Sequence, residues 1–130
     1  MQKTNIGAFL TKRASLSPNK EALVLGDTRL SWKALNQRSN RLAATMANLG
    51  VGPGDRVALL ALNEVEFFDL YFGLGKMGAV LVPINHRLAG PEIEYIVDDC
   101  QARVLVFGAE FAPVVESIRE KLPCEHLVSI

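Results

Sequence analysis

From Arg56 onward, short apolar runs alternate with helical patterns, and this alternation limits the possible folds more than any other feature of the sequence. The apolar runs are RVALLAL (56–62), AVLVPI (79–84), VLVF (104–107) and LVSI (127–130). Between them stand EVEFFDLYFGLGKM (64–77), a helical pattern over Gly90–Asp99 with Ile93, Ile96 and Val97 inward, and a helix from Pro113 to Lys121. The runs show no polar alternation, so each strand needs cover on both faces. Strands separated by helices pair in parallel through right-handed crossovers. The reading is α/β: a βαβαβαβ parallel sheet flanked by helices.

Three elements precede it. Residues 4–16 form a short helix with Ile6, Phe9 and Leu10 on one side, ended at Ser17-Pro18-Asn19 because proline disfavours helix in the residue before it. Ala22–Leu25 and Leu30 flank Gly26-Asp27, which suggests a small hairpin. Ser31 is a good N-cap for a long amphipathic helix. Trp32, Leu35, Ser39, Leu42, Met46 and Leu49 form one stripe, and Lys33, Asn36, Gln37, Arg38, Asn40, Arg41 and Asn48 fill the outer face. Gly50 stops the helix and VGPGD (51–55) makes a tight turn. Asn63 is the expected cap of the helix that follows the first sheet strand.

Fourteen basic and fourteen acidic residues cancel, so no basic surplus points to nucleic acid and no polybasic run to a membrane surface. The N-terminus MQKTNIGAFLTKRAS lacks the apolar run of a signal peptide, and the longest apolar stretches fall far short of the ~20 residues that a span needs. Cys100 and Cys124 form no C-x-x-C pair and read as two reduced thiols in a cytoplasmic protein.

GLGKMG (73–78) has the G-x-G-x-x-G pattern of a dinucleotide-binding turn. That turn needs a strand before it and a helix after it, because the pyrophosphate sits on the helix N-terminus. Here the order is reversed. Gly73 and Gly75 lie in the last turns of a helix and Gly78 where it stops, so the expectation is a C-terminal stop plus close contact between helix and sheet.

Several linked stretches carry a family resemblance. LSWKAL (30–35) resembles the L-[ST]-Y-x-E-L opening motif of the AMP-forming adenylating enzymes, which include the acyl-CoA synthetases. LGKMGAVLVPIN (74–85) resembles their second core motif, L-K-A-G-x-A-Y-V-P-[IL]-[DN]. LNQRSNRLAATMANLGVGPGDRVALLALN fits the helix, turn and strand between them, NHRL (85–88) resembles N-x-R-L, and EIEYIVDDCQARVLV also fits. Two positions depart. Trp32 stands for the family's Tyr, and Ala34 for a Glu that would complete a capping box, a loss of up to about 1 kcal/mol.

The resemblance implies a two-step ligase. A carboxylic or fatty acid attacks the α-phosphate of Mg-ATP to give an acyl-adenylate and pyrophosphate, and a thiol, usually coenzyme A, then displaces AMP. It also implies a phosphate loop rich in Ser, Thr and Gly that ends in Pro-Lys-Gly, which these 130 residues lack. Residues 1–130 therefore read as one partial domain, the N-terminal piece of a larger ligase. Alone it is expected to be inactive, with no catalytic or metal-ligating residue of its own and with uncovered apolar surface that favours a homo-oligomer.

Asn85, His86 and Arg87 follow a strand's carboxyl end, where open α/β sheets bind ligands. In CoA-forming relatives the arginine of this motif lies toward the CoA nucleotide, so Arg87 is a candidate phosphate contact; otherwise it pairs with a carboxylate such as Glu92 or Glu94. His86 reads as a loop residue and His126 as a strand-start residue, since neither has a partner at ligand spacing. Phe67, Phe68, Tyr71 and Phe72 wrap around their helix and read as core, with an acyl-pocket wall as the other use. Two further readings stand beside the ligase: a non-catalytic interaction module of the same fold, and another doubly wound nucleotide-binding domain.

Overall fold

The computed structural model describes residues 4–130. Helix α1 (Ile6–Leu16) starts at Asn5, whose side chain accepts the Ala8 N–H at 3.0 Å. Strands β1 (Glu21–Leu25) and β2 (Thr28–Ser31) form the expected antiparallel hairpin. Helix α2 (Trp32–Asn48) is capped by Ser31 Oγ, which accepts the Ala34 N–H at 3.1 Å. Then come β3 (Arg56–Leu60), α3 (Val65–Met77), β4 (Val80–Pro83), α4 (Gly90–Asp99), β5 (Val104–Phe107), α5 (Ala112–Ile118) and β6 (His126–Ser129). The last four strands form one parallel sheet in the order β4-β3-β5-β6.

Successive residues of a strand point to opposite faces, and the two sides of this sheet are built accordingly. Ala58, Leu60 and Leu105 pack with Ile93, Val97, Val115 and Ile118 of α4 and α5. Val57, Leu59, Val104 and Val106 pack with Met46, Leu70 and Leu74 of α2 and α3. The two central strands are thus covered on both faces by this chain alone. Helix α1 forms a further layer on α2 and α3. Among the described residues no helix is long and apolar enough to cross a membrane.

The stripe of α2 is as expected at Leu35, Ser39 and Met46, which are buried, while Leu42 is half-buried. Its polar face is not all outward. Arg38 turns onto α3, where its Nη2 donates to Asp69 Oδ2 at 2.6 Å and its Nε reaches both Asp69 oxygens at 3.0 and 3.1 Å. Asp69 is buried, so this paired fork satisfies a carboxylate that water does not reach. Lys76 Nζ likewise donates to Thr11 Oγ1 and Asn36 Oδ1, tying α3 to α1 and α2, and burial lowers its pKa.

Gly78 stops α3 as expected, with φ of 75°, and the Ala79 N–H donates to Leu74 O at 3.0 Å. Gly73 and Gly75 do allow close contact, but with helices rather than with the sheet. A Cβ on Gly73 would stand 2.8 Å from Ser39 O and 3.0 Å from Leu42 Cδ2 of α2, and one on Gly75 would meet Ile6 of α1. The same kind of stop ends α2 at Gly50 and α4 at Gln101; the latter holds φ of 49° without being glycine. Asn63 does not cap α3. Glu64, one residue later, occupies the cap position without a side-chain bond, and β3 ends at Leu60, two residues before the end of the apolar run.

At the amino edge of the sheet, Asp55 closes the VGPGD turn. Its Oδ2 accepts the Gly52 N–H at 2.8 Å and Arg103 Nη1 at 2.9 Å, while the same Nη1 donates to Gly50 O at 2.7 Å. The Gly52 amide first, and Arg103 second, hold the Asp55 carboxyl below the usual carboxylate range.

Two outcomes follow. Gly73→Ala forces a methyl against the α2 backbone and is expected to destabilise by about 1–3 kcal/mol, the usual cost of overpacking; an unchanged denaturant midpoint would show that the helices separate freely. Because the folded-state pKa of Asp55 is depressed, its contribution is present above the unfolded value and is lost as pH falls through the folded value. Asp55→Asn should therefore be less stable than the parent at pH 7, with the gap closing below about pH 4, near the unperturbed carboxyl value. A gap independent of pH in urea melts would assign the loss to shape rather than charge.

Candidate functional site

The carboxyl ends of β3, β4 and β5 carry the loops where a ligand of an open α/β sheet binds. Ile84 leaves β4 still anchored: it is buried, and its N–H donates to Leu59 O at 2.8 Å. The next residue folds the loop. Asn85 Oδ1 accepts the Arg87 N–H at 3.0 Å, and Asn85 O accepts the Leu88 N–H at 3.2 Å. Leu88 then packs against the apolar cluster below α4 and α5. With both ends fixed, His86 and Arg87 are left exposed at the tip. This turn is the short-side-chain local hydrogen bonding that asparagine favours.

Arg87 has no side-chain hydrogen bond or ion pair among the described residues. Both carboxylates suggested as its partners are used elsewhere. Glu92 Oε2 accepts the Ala89 N–H at 2.8 Å and caps α4, and Glu94 lies 3.9 Å from Lys121 Nζ. The sequence did place Asn85, His86 and Arg87 together at the strand end, and the structure keeps them there. His86 stands beside Phe111, with ring centroids 6.2 Å apart, so the loop after β4 meets the 3₁₀ turn (Ala109–Phe111) after β5. Phe111 was not singled out from the sequence, since nothing local marks it as a neighbour of His86. His126 begins β6, as expected.

A second feature lies at the other side of this edge. Leu23, Val24, Leu25, Asn63, Glu64, Val65, Phe67 and Phe68 line a mostly apolar groove of about 390 Å³ between the hairpin and the start of α3. Of the four aromatics of α3, Phe67 packs against the core as the sequence suggested, and the others do not. Phe68 and Tyr71 are exposed, Phe67 and Phe72 are half-buried, and Leu70 and Leu74 fill the interior instead. Near-edge ring contacts pair Phe67 with Phe68 and Tyr71 with Phe72. An all-round apolar helix reads as buried by pattern alone; the position of the hairpin decides which side is covered.

Among the described residues no three His, Cys, Asp or Glu side chains gather as metal ligands. Both cysteines are free. Burial, with a smaller push from Cys100, raises the Cys124 thiol to about 11, and burial also raises Cys100, so neither is a thiolate at neutral pH. The edge therefore offers an exposed cation, a ring, amide groups and an apolar groove. It can hold an anionic or mixed ligand.

Comparison with known proteins agrees with this arrangement. The chain is 46% identical over 117 residues to the long-chain-fatty-acid–CoA ligase FadD13 of Mycobacterium tuberculosis, which covers 88% of the chain and 23% of that protein. It is 37% identical over 117 residues to the fatty acid–[acyl-carrier-protein] ligase ScoC of Streptomyces coeruleorubidus, covering 90% of the chain and 22% of the relative. The solved Mycobacterium tuberculosis fatty acyl CoA synthetase superposes with a TM-score of 0.93 at 41% identity, over 97% of this chain and 26% of that one. The chain thus spans about a quarter of the length of these relatives. Residues 10–130 match the model of the AMP-binding enzyme family, and the chain belongs to that family.

Proposed function

We propose that residues 1–130 are one partial domain, the N-terminal part of an ATP-dependent, AMP-forming acid–thiol ligase. The carrying observation is the 46% identity to a fatty-acid–CoA ligase across nearly the whole chain, with the motifs in order. In the proposed reaction, the carboxylate of a fatty or other carboxylic acid attacks the α-phosphate of Mg-ATP and pyrophosphate leaves. The thiol of coenzyme A then attacks the acyl carbon and AMP leaves. ATP and CoA as substrates fit a cytoplasmic setting.

The chain's own part is architectural and positional. Adenylyl transfer needs backbone donors and cations around the phosphates. These residues contain no Ser/Thr/Gly-rich loop ending in lysine, so they are inactive by themselves. Arg87 is the contact we assign to a CoA phosphate. It is exposed, unpaired and held at the sheet's carboxyl edge by Asn85, and a guanidinium matches phosphate geometry. An acyl-carrier-protein acceptor is the second reading, favoured by the relative ScoC. Apolar side chains left exposed around the groove, among them Val24, Leu25 and Phe68, support a homo-oligomer of the isolated piece; a constant mass of 14.2 kDa by light scattering at all concentrations would refute that.

The test is ATP–pyrophosphate exchange with fatty acids. The full-length protein carrying this chain should exchange, and residues 1–130 alone should not rise above a no-enzyme control. Exchange by the short piece would overturn the assignment of catalysis to other residues. In the full-length protein, Arg87→Ala should raise KM for CoA about tenfold, the scale of one charge-assisted hydrogen bond, with KM for ATP and acid little changed. Equal changes for all three substrates would make Arg87 structural.

A further inference from the structure

We propose that Cys100 and Cys124 are a redox-sensitive pair that hydrogen peroxide closes into a disulfide, clamping the end of α4 to the start of β6. Both thiols are free and half-buried. They are distant in sequence, yet both pack against the one apolar cluster that contains Val97, Ala102 and Ile118. The pairing of β5 with β6 explains how they meet. Val104 stands opposite His126, and the Glu125 N–H donates to Arg103 O at 2.8 Å. One step further back, the same register sets Cys124 against Ala102. Opposite residues on paired strands are ~5 Å apart. Between Ala102 and Cys100 the chain folds back on the helix: the Ala102 N–H donates to Val97 O at 3.2 Å, and Gln101 holds φ of 49°. A disulfide needs Cα atoms ~4.4–6.8 Å apart, so the two segments already run at about the required spacing.

Neither cysteine lies inside a regular element. Cys100 caps α4, and Cys124 lies in the link between the 3₁₀ turn Arg119–Lys121 and β6. Small shifts at such ends leave the sheet ladder intact. The Cys100 carbonyl is anchored, since it accepts Arg56 Nε at 2.8 Å, so the approach falls to the Cys124 side. Cys124 also lines a groove of about 360 Å³ with Leu122, Glu125 and His126, which gives a small oxidant access.

The thiolate is the attacking form. Burial raises Cys100, while the Ala102 amide and the Arg56 guanidinium favour its thiolate and Asp99 opposes it. Cys124 is pushed up to about 11 by burial and then by Cys100, against its own amide alone. Cys100 is therefore the attacking thiol. Its sulfur takes one peroxide oxygen, the O–O bond breaks, and the departing oxygen leaves as water with the thiol proton, which gives a sulfenic acid. The Cys124 sulfur then attacks that sulfur, the S–O bond breaks, and a second water leaves with the Cys124 proton. Two thiols lose two electrons and two protons, and one hydrogen peroxide becomes two waters. Both thiols are held largely protonated, so the pair stays reduced until an oxidant is present. The bond closes a loop that contains β5 and α5, and it fastens the base of the unit that presents Phe111 to His86. The proposal rests on the two thiols alone and stands apart from the ligase reading.

The test is a peptide map of the full-length protein after hydrogen peroxide, at a dose that oxidises glutathione. Remaining thiols are blocked with N-ethylmaleimide, and trypsin is used without reductant. The peptide Leu88–Arg103, which holds Cys100, should be joined to the peptide that begins at Leu122 and holds Cys124. The joined mass should be about 2 Da below the sum of the two, for the two hydrogens lost, and dithiothreitol should separate them. In Cys124→Ser the sulfenic acid on Cys100 should persist and be captured by dimedone, whereas Cys100→Ser should leave Cys124 unlabelled. Recovery of both cysteines as blocked thiols overturns the proposal. So does either one joined to a different cysteine, or each oxidised to its sulfinic acid with no linked peptide. Equal dimedone labelling in the two variants would overturn the order of attack. The parent's own map decides the question even where a variant fails to fold.

Discussion

Strand β3 has no side that water can reach. Val57, Ala58, Leu59 and Leu60 are each at most 1% exposed, and β5 beside it is equally buried from Val104 to Val106. A parallel pair of this kind is stable only between two layers of helix, since its backbone groups pair within the sheet while its side chains must be buried on both faces. The remaining architecture follows from that demand. Helices α2 and α3 cover one face, α4 and α5 cover the other, and α1 closes over the first pair. To bring α3 close to α1 and α2 while it also lies on the sheet, the chain removes side chains at Gly73 and Gly75. The glycine pattern that looks like a nucleotide-binding turn is therefore a packing device.

The distribution of charge follows the same plan. Where helices or strand ends meet, cations are matched. Arg38 meets Asp69 between α2 and α3, and Arg103 bridges Asp55 and Glu125 at the sheet's amino edge. These pairs fix the relative positions of elements and leave little charge free for a ligand. At the carboxyl edge and on the outer side of α1 the cations have no such partners. An unmatched arginine costs nothing in water, so its lack of a partner shows only that the fold does not use it. That freedom leaves Arg87 exposed at the carboxyl edge, where we propose its phosphate contact.

The two ends of the sheet thus have different roles. The amino edge is held by side-chain bonds to backbone groups, as where Arg56 donates to Cys100 O at 2.8 Å and to Gly54 O at 2.9 Å. The carboxyl edge is held by backbone bonds, such as Gly108 N–H to Leu60 O at 2.9 Å, and by the Arg87 N–H donated to Asn85 Oδ1. This leaves the side chains of Asn63, His86 and Arg87 exposed around it. The ligase function we propose gives that exposure a chemical context, because adenylyl transfer needs a surface for phosphates.

The sequence alone determined the elements and their parallel pairing. Apolar runs without alternation, helical stripes and glycine stops are local patterns, and local patterns are set by backbone geometry and period. The placement of Asn85, His86 and Arg87 at a strand end was legible for the same reason. The tertiary structure decided what depends on two distant segments meeting. Arg38 looked solvent-facing until Asp69 was found opposite it, because a period separates the sides of a helix and does not show where a neighbouring helix lies. Phe68 and Tyr71 looked buried because they are apolar, yet Leu70 and Leu74 fill the core and leave them out. Nothing local marks Gln101, which holds a left-handed turn between α4 and β5. Strand order and the empty surroundings of Arg87 belong to the same class: they arise from which surfaces come together, a relation between distant residues that no local pattern records.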